Sequence, residues 1–312
     1  MKVVFTGGGT GGHFYPIVAI AEAIRDEVRD RRLIAPKLYY MAPSAYDMEA
    51  LFENEIVFVA CPAGKVRRYF SFQNITDGFL TITGTIYAFL MLLRLYPDVI
   101  VSKGGYASVP TVIAGAILGI PIIIHESDAK PGRANLFAAR FAHRIAVAFE
   151  SAAAYFPKNM EMKLAGTGIP VRKDLMKLER EGAAQYLDLD PAAPTILVIG
   201  GSSGSLRMNE TLLAALPELV NVGNVIHQTG KDHFKSMEKT APVALSGNSN
   251  ASRYHPFPYL STLSMRRAAG AAGDRRRRGR RTLRLPVGRT GQRPPAPAAR
   301  PGAGRGLWQG AG

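Results

Sequence analysis

Cysteine is almost absent from this chain, with one residue, Cys61, in 312. No internal disulfide can form, and no cluster of thiolates can hold a structural metal. Carboxylates are scarce, 24 Asp and Glu against 39 Lys and Arg, and Trp308 is the single tryptophan. No charged leader and small-residue cleavage site precede the first apolar run, which starts at Lys2, so the cytoplasm is the expected compartment. The uncharged segment Phe79 to Leu93 has fifteen residues, short of the ~20 that a membrane-spanning helix needs. No metal-ligand spacing of His, Cys, Asp and Glu stands out, and no metal or cofactor is expected.

The composition that is present belongs to a folded protein. An apolar fraction of 47% over this length provides for two domains with real cores. The net charge of +15 is unevenly placed: residues 266–312 hold thirteen arginines, no lysine and one acid, Asp274. Arg, Gly, Pro and Ala supply 37 of those 47 residues, too little apolar surface to offset chain entropy, so an unfolded tail is predicted over 265–312. A basic arm for RNA is one reading of it, but interleaved aromatics are missing apart from Trp308, and nucleic acid is not an expected partner. Lysine-free Arg/Gly/Pro/Ala text is also what a GC-rich gene yields when translated out of frame, with the slip near Gly273, and that reading fits the abrupt change best.

Before the tail the pattern is regular. The apolar run Lys2 to Thr6, the turn GGGTGGH (Gly7 to His13) and an apolar-periodic stretch from Pro16 to Val28 read as strand, glycine loop and helix. Further strands are predicted at Lys37–Met41, Ile56–Ala60, Asp98–Ser102, Pro121–His125, Ile145–Glu150 and from Met162, each far enough apart for a crossover helix. The unit then restarts: Thr195–Ile199, GGSSGS (Gly200 to Ser205) and a helix over Met208–Leu219, with strands to come at Val225–Gln228 and Pro256–Leu260. The fold class is therefore α/β, two Rossmann-like domains: 1–165, and an incomplete second domain over 166–264.

A glycine turn between strand and helix lets backbone N–H groups approach a phosphate, with favourable partial charge from the helix N-terminus. Two such turns suggest a diphosphate; a turn with no ligand is the alternative for either alone. GGGTGGH matches neither the usual dinucleotide spacing nor a GK[ST] nucleotide loop. A nicotinamide site would need an acid near the end of the second strand, where Met41-Ala42-Pro43 stands instead. His13, at the mouth of the first turn, is a candidate proton acceptor or phosphate contact.

Taken in order, GGTGGH, SKGGYAS (Ser102 to Ser108), IHESDAKPGRAN (Ile124 to Asn135), TGIPVR (Thr167 to Arg172), GGSSGS and HQTGK (His227 to Lys231) resemble the peptidoglycan N-acetylglucosaminyltransferase family. GKVRRYFSFQN (Gly64 to Asn74) is similar to that family too, and the likeness runs from Met1 to about Ser264. The resemblance implies the two-Rossmann GT-B glycosyltransferase fold. It also implies inverting transfer of N-acetylglucosamine from its UDP donor to the C4 hydroxyl of a lipid-linked muramoyl-pentapeptide, at the cytoplasmic face of the membrane.

On residues, the resemblance implies His13 as the base that deprotonates the acceptor hydroxyl, or as a phosphate contact. Thr10, Gly11, Gly12, Asp128, Arg172, Ser202 and Leu260 are implied donor contacts, and Lys103, Gly104, Gly105 and Tyr106 acceptor contacts. Asp128 stands where other members carry an asparagine, and a carboxylate can only accept. For Leu260 packing is the alternative, and His125 and Glu126 are expected to be satisfied structural groups. Phe79–Leu93, flanked by Arg67, Arg68 and Arg94, either lies in the membrane interface or is a buried helix. Past the PYLS site the family continues into a strand, an RxGxxTxxE helix and a glutamine-containing loop; none is in this sequence. The competing expectation is an inactive product that keeps phosphate and lipid-surface binding.

Overall fold

The computed structural model describes residues 1–65, 73–201 and 204–273. Arg67, Arg68, Ser202 and most of the predicted tail lie outside the described residues. Two compact units divide between Lys173 and Asp174, a few residues beyond the link expected at 165/166.

The first unit is a parallel seven-stranded sheet. Its strands are β1 (Lys2–Thr6), β2 (Lys37–Ala42), β3 (Ile56–Ala60), β4 (Val99–Ser102), β5 (Ile122–Glu126), β6 (Arg144–Val147) and β7 (Leu164–Gly166), in the order β3-β2-β1-β4-β5-β6-β7. Parallel neighbours cannot be joined by a tight hairpin, so crossovers are required. They are built on α1 (Gly11–Asp30), α2 (Met48–Glu53), α3 (Gln73–Leu95), α4 (Val109–Ile117), α5 (Arg133–Ala138) and α6 (Glu150–Ala153). Strand alternation sends Val3 and Phe5 to one face, against Phe14, Ile17, Val18 and Leu51, while Val4 goes to the other with Ile100, Ile122, Leu92 and Val112. Fully burying each such side chain contributes roughly 1.5–3 kcal/mol, which fixes the register of the central strands. The strand order reverses between β1 and β4, and the loops leaving these two strands meet at the carboxyl edge of the sheet, where ligands of open α/β sheets bind.

Helix α3 is half-committed to this core. Ala88 and Leu92 are buried, and Gly84 comes so close to the chain that a Cβ there would lie 1.9 Å from the Pro62 carbonyl oxygen. On the opposite face Phe79, Ile82, Ile86, Leu90 and Leu93 stand 50–66% exposed. The span Thr76–Leu95 is long and apolar enough to cross a membrane by length and composition, more than the fifteen-residue count suggested. It nevertheless packs along α4 and leads directly into β4 of the sheet.

The second unit reuses the same strand–turn–helix element. After α7 (Lys173–Met176), at the division, and α8 (Ala183–Tyr186) come β8 (Thr195–Ile199), α9 (Leu206–Val222), β9 (Asn224–Gln228), α10 (Phe234–Ala244), β10 (Tyr254–Phe257) and α11 (Thr262–Ala272). The strands are parallel in the order β10-β9-β8. Val225 packs with Leu212, Leu216 and Val220 on one face, and Ile226 with Leu187, Leu189, Leu260 and Ala268 on the other.

Residues 265–272, expected to belong to the unfolded tail, are instead part of α11, which runs to Ala272. Ser261 caps it by accepting from the Ser264 amide, and Ala268 is buried against Leu187. Arg266 and Arg267 both pair with Glu179, at 2.6 and 3.2 Å, and Arg267 stacks over the Tyr186 ring at 4.2 Å. These two arginines belong to the folded unit. From 274 onward the chain lies outside the described residues.

Candidate active site

The site grows from the two loops that leave β1 and β4. Tyr40 Oη donates to the Gly7 carbonyl at 2.5 Å and Thr6 Oγ1 to the Met41 carbonyl at 2.9 Å, tying the first loop to β2. Gly9 has φ +91°, and a Cβ there would lie 2.8 Å from the Tyr106 ring; Gly104 has φ +88°, and its Cβ would lie 2.6 Å from Asn135 Oδ1. Backbone of this kind is open to glycine and strained for other residues. The tight loops let α1 begin at Gly11 with first-turn N–H groups that have no partner inside the helix, a positive end facing the cavity.

Thr10 is the N-cap residue, yet its hydroxyl makes no cap bond. It lies instead 2.9 Å from His13 Nδ1. In the tautomer where Nδ1–H donates to Thr10 Oγ1, Nε2 carries a free lone pair and can take a proton. The imidazole is held below its ordinary proton affinity, first by burial and then by Lys103, with Asp128 and Glu126 acting against them.

Lys103 extends β4 by one residue, its amide donating to the Thr6 carbonyl at 2.8 Å. The side chain is 2% exposed and its ammonium donates to Ser127 Oγ at 2.6 Å. Burial pulls its pKa down to about 8, against the opposing pull of Glu126 and Asp128.

Glu126, at the end of β5, organises the third loop. One carboxylate oxygen accepts the Asp128 amide at 2.8 Å; the other accepts the Gly132 amide at 2.9 Å and Asn135 Nδ2 at 3.0 Å. Asn135 also donates to the His125 carbonyl at 3.2 Å. His125 points elsewhere: its Nε2 donates to the Gly168 carbonyl at 3.0 Å, and burial lowers its pKa to about 4, so it stays neutral.

These three loops enclose a cavity of about 230 Å³ lined by Thr10, Gly12, His13, Lys103, Gly105, Glu126, Ser127, Asp128, Gly132 and Asn135. Six of the residues singled out in the sequence thus come together: Thr10, Gly12, His13, Lys103, Gly105 and Asp128. Gly11, Gly104 and Tyr106 sit in the same loops, with Gly11 toward Tyr15 and Tyr46, and Lys65 over the Tyr106 ring at 5.3 Å. Arg172 is not in the lining; its guanidinium stacks on Tyr15 of α1 at 4.3 Å. In the second unit the Leu260 side chain is spent on the core, 2% exposed, while its amide donates to Gln228 Oε1 at 3.0 Å. Gln228 Nε2 in turn donates to the Gly201 carbonyl at 2.8 Å, bracing the second glycine turn. Ser202, in that turn, lies outside the described residues. Asn135, Ser127 and Gly132 were not singled out in the sequence, though all three fall inside the IHESDAKPGRAN motif.

Comparison with known proteins gives a consistent picture. Residues 3–147 match the Glycosyltransferase family 28 N-terminal domain and residues 195–269 its C-terminal domain. A Bacillus anthracis protein named UDP-N-acetylglucosamine--N-acetylmuramyl-(pentapeptide) pyrophosphoryl-undecaprenol N-acetylglucosamine transferase 2 is 40% identical over 233 residues, 75% of this chain and 64% of the relative. A Treponema denticola protein named as the same transferase is 35% identical over 272 residues, 83% of this chain and 67% of the relative. The chain thus spans about two thirds of the length of these relatives. Among solved structures, Acinetobacter baumannii MurG aligns with a TM-score of 0.54 at 22% identity, covering 85% of this chain and 68% of that one. A putative UDP-N-acetylglucosamine 2-epimerase from Listeria monocytogenes aligns with a TM-score of 0.59 at 11% identity, covering 84% and 70%. These two likenesses speak for the fold alone.

Proposed function

Because the chain belongs to glycosyltransferase family 28, in the branch of the peptidoglycan N-acetylglucosaminyltransferases, we propose that its first unit carries the acceptor-binding and proton-accepting half of such a transferase. The reaction is transfer of N-acetylglucosamine from UDP-N-acetylglucosamine to the C4 hydroxyl of undecaprenyl-pyrophosphoryl-N-acetylmuramoyl-pentapeptide, with inversion. The observation that carries this reading is the convergence of the α1 N-terminus, His13 and Lys103 on one cavity.

The chemistry follows from those groups. As the acceptor oxygen forms its bond to the anomeric carbon, its proton passes to His13 Nε2, and the bond from that carbon to the UDP oxygen breaks with both electrons going to UDP. A base that is neutral at working pH is required, and burial keeps His13 so. Thr10 fixes the tautomer. The first-turn amides at Gly11 and Gly12 and the Lys103 ammonium offer donors to phosphate oxygens. Asp128, exposed on its loop, accepts from sugar hydroxyls, and Gly104, Gly105 and Tyr106 shape the acceptor side. Arg172, Ser202 and the backbone at Leu260 serve the donor diphosphate and base. The apolar outer face of α3, with Arg94 in its last turn, lies on the lipid surface at the cytoplasmic side and brings the polyprenyl acceptor to the cavity.

The test is direct. The chain is incubated with labelled UDP-N-acetylglucosamine and the lipid-linked acceptor in detergent, and the disaccharide lipid is separated and counted. Transfer is expected, and His13→Ala should lower its rate by roughly 10²–10⁴-fold. No product from the unaltered chain defeats the transferase reading, whereas equal rates for the two proteins defeat the assignment of His13 as base.

A further inference from the structure

The Lys103 ammonium is buried beside a neutral hydroxyl, Ser127 Oγ, and among the described residues no ion pair is made to it. A buried cation that makes no ion pair is costly, and a ligand oxygen that pairs with it lowers that cost. Glu126 attracts the Lys103 ammonium through space without pairing with it, and both Glu126 oxygens accept from the Asp128 and Gly132 amides and Asn135. Asp128 stands exposed on its loop with its amide, not its carboxylate, tied to Glu126. His13 lines the same cavity from α1. The groups that face it are Lys103 from the end of β4, Glu126 and Asp128 from the loop after β5, and Thr10 from its own helix start.

We propose that Lys103 is a positioning residue that couples anion binding to proton uptake at His13. Its ammonium opposes a proton on the imidazole while the cavity is empty, and a diphosphate oxygen that pairs with it lifts that opposition. The inference rests on the reading of this cavity as the reaction centre and adds a sequence of events to it. The base stays unprotonated, and so available, in the free protein; it becomes a stronger proton acceptor only when an anionic substrate is seated. The α1 N-terminus works in the same direction as Lys103, since its positive end also disfavours imidazolium. The two carboxylates work against both, and burial, the largest influence, acts with Lys103 to hold the imidazole below its ordinary proton affinity.

The experiment reads His13 itself and needs no turnover. The full chain, with ¹³C at histidine Cε1, is titrated by NMR with and without inorganic pyrophosphate; His13→Gln assigns the signal, and the amide spectrum reports that each variant is folded. The unaltered protein should show a His13 midpoint below about 6.5, rising when pyrophosphate is added. Lys103→Met should raise the midpoint without pyrophosphate and shrink the further rise that pyrophosphate causes. Lys103→Arg, which keeps the charge, should behave like the parent, and it covers the case in which the methionine variant fails to fold. An unchanged midpoint in Lys103→Met, or a pyrophosphate-induced rise as large as in the parent, overturns the proposal. A transfer assay that fails while these shifts are seen sinks the transferase reading and leaves the coupling standing; transfer without the shifts does the reverse.

Discussion

Replacing Glu126 by glutamine removes one charge and turns one acceptor oxygen into a donor, with almost no change in size. Three N–H groups converge on the native carboxylate: two from the backbone of the loop it closes, at Asp128 and Gly132, and one from Asn135. The carboxamide can keep its oxygen toward Gly132 and Asn135, but its NH₂ then faces the Asp128 amide, donor against donor. One charge-assisted bond is lost outright and two are weakened to neutral ones, a cost of about 2–4 kcal/mol. Because Glu126 is 4% exposed, water cannot compensate. In native-state hydrogen exchange this predicts roughly 30- to 1000-fold faster exchange at the Asp128 and Gly132 amides, with a melting midpoint lower by roughly 4–16 °C for a unit of this size. Removing the charge should also lower the proton affinity of His13 and Lys103 further, since Glu126 now supports both. Unaltered protection at the two amides together with an unaltered midpoint would refute the claim that this carboxylate builds the loop.

Glycine and histidine substitutions probe the rest of the fold. Gly104→Ala puts a methyl 2.6 Å from Asn135 Oδ1 at φ +88° and should destabilise the first unit by more than ~2 kcal/mol; Gly119→Ala, at φ +66° but with open space around it, should cost only about 1 kcal/mol, and urea midpoints separate the two. His125 and His227 are both buried with pKa lowered to about 4, by burial first, from an ordinary value near 6.5. Between those values the unfolded chain binds more protons than the folded one, so stability is full above pH ~6.5 and is lost as pH falls toward 4, by up to roughly 3 kcal/mol for each histidine. One sits in each unit, so urea midpoints of both should fall over this window, and His227→Gln should flatten the fall in the second.

Periodicity located the strands well because it reports what a strand must do, which is send alternate residues to opposite faces. Val3, Val4 and Phe5 are the clearest case, and Val225 and Ile226 repeat it in the second unit. Composition was a poorer guide at the far end. Counting Arg, Gly, Pro and Ala over 266–312 merges the later turns of α11 with the residues beyond them, because an average over 47 residues cannot see that Ala268 and Ala271 continue from Met265 a spacing that faces Leu187. Nor can it see that Arg266 and Arg267 have a carboxylate waiting at Glu179, nearly ninety residues earlier in the chain. An arginine is a tail residue or a structural one according to its partner, and partners at that distance are written in the fold.

The cavity shows the same division between what a motif carries and what only folding assembles. His13, Lys103 and Asp128 were visible as chemistry-bearing residues beside glycine turns, and they line one cavity. Asn135 was not, although it lies in the same motif as Glu126, nine positions away. Its value depends on the turn through Pro131 and Gly132 that brings its amide back to the carboxylate, and on Gly104 leaving room beside it. Leu260 is a different case. The resemblance implied a donor contact through its backbone and side chain, with packing as the alternative, and its isobutyl group, flanked by Leu187, Leu189 and Ile226, gains roughly 1.5–3 kcal/mol from burial. Its main chain is held in place by Gln228, whose Oε1 accepts the Leu260 amide. A motif match transfers positions; whether the side chain or the main chain does the binding is decided by which of them the core has already claimed.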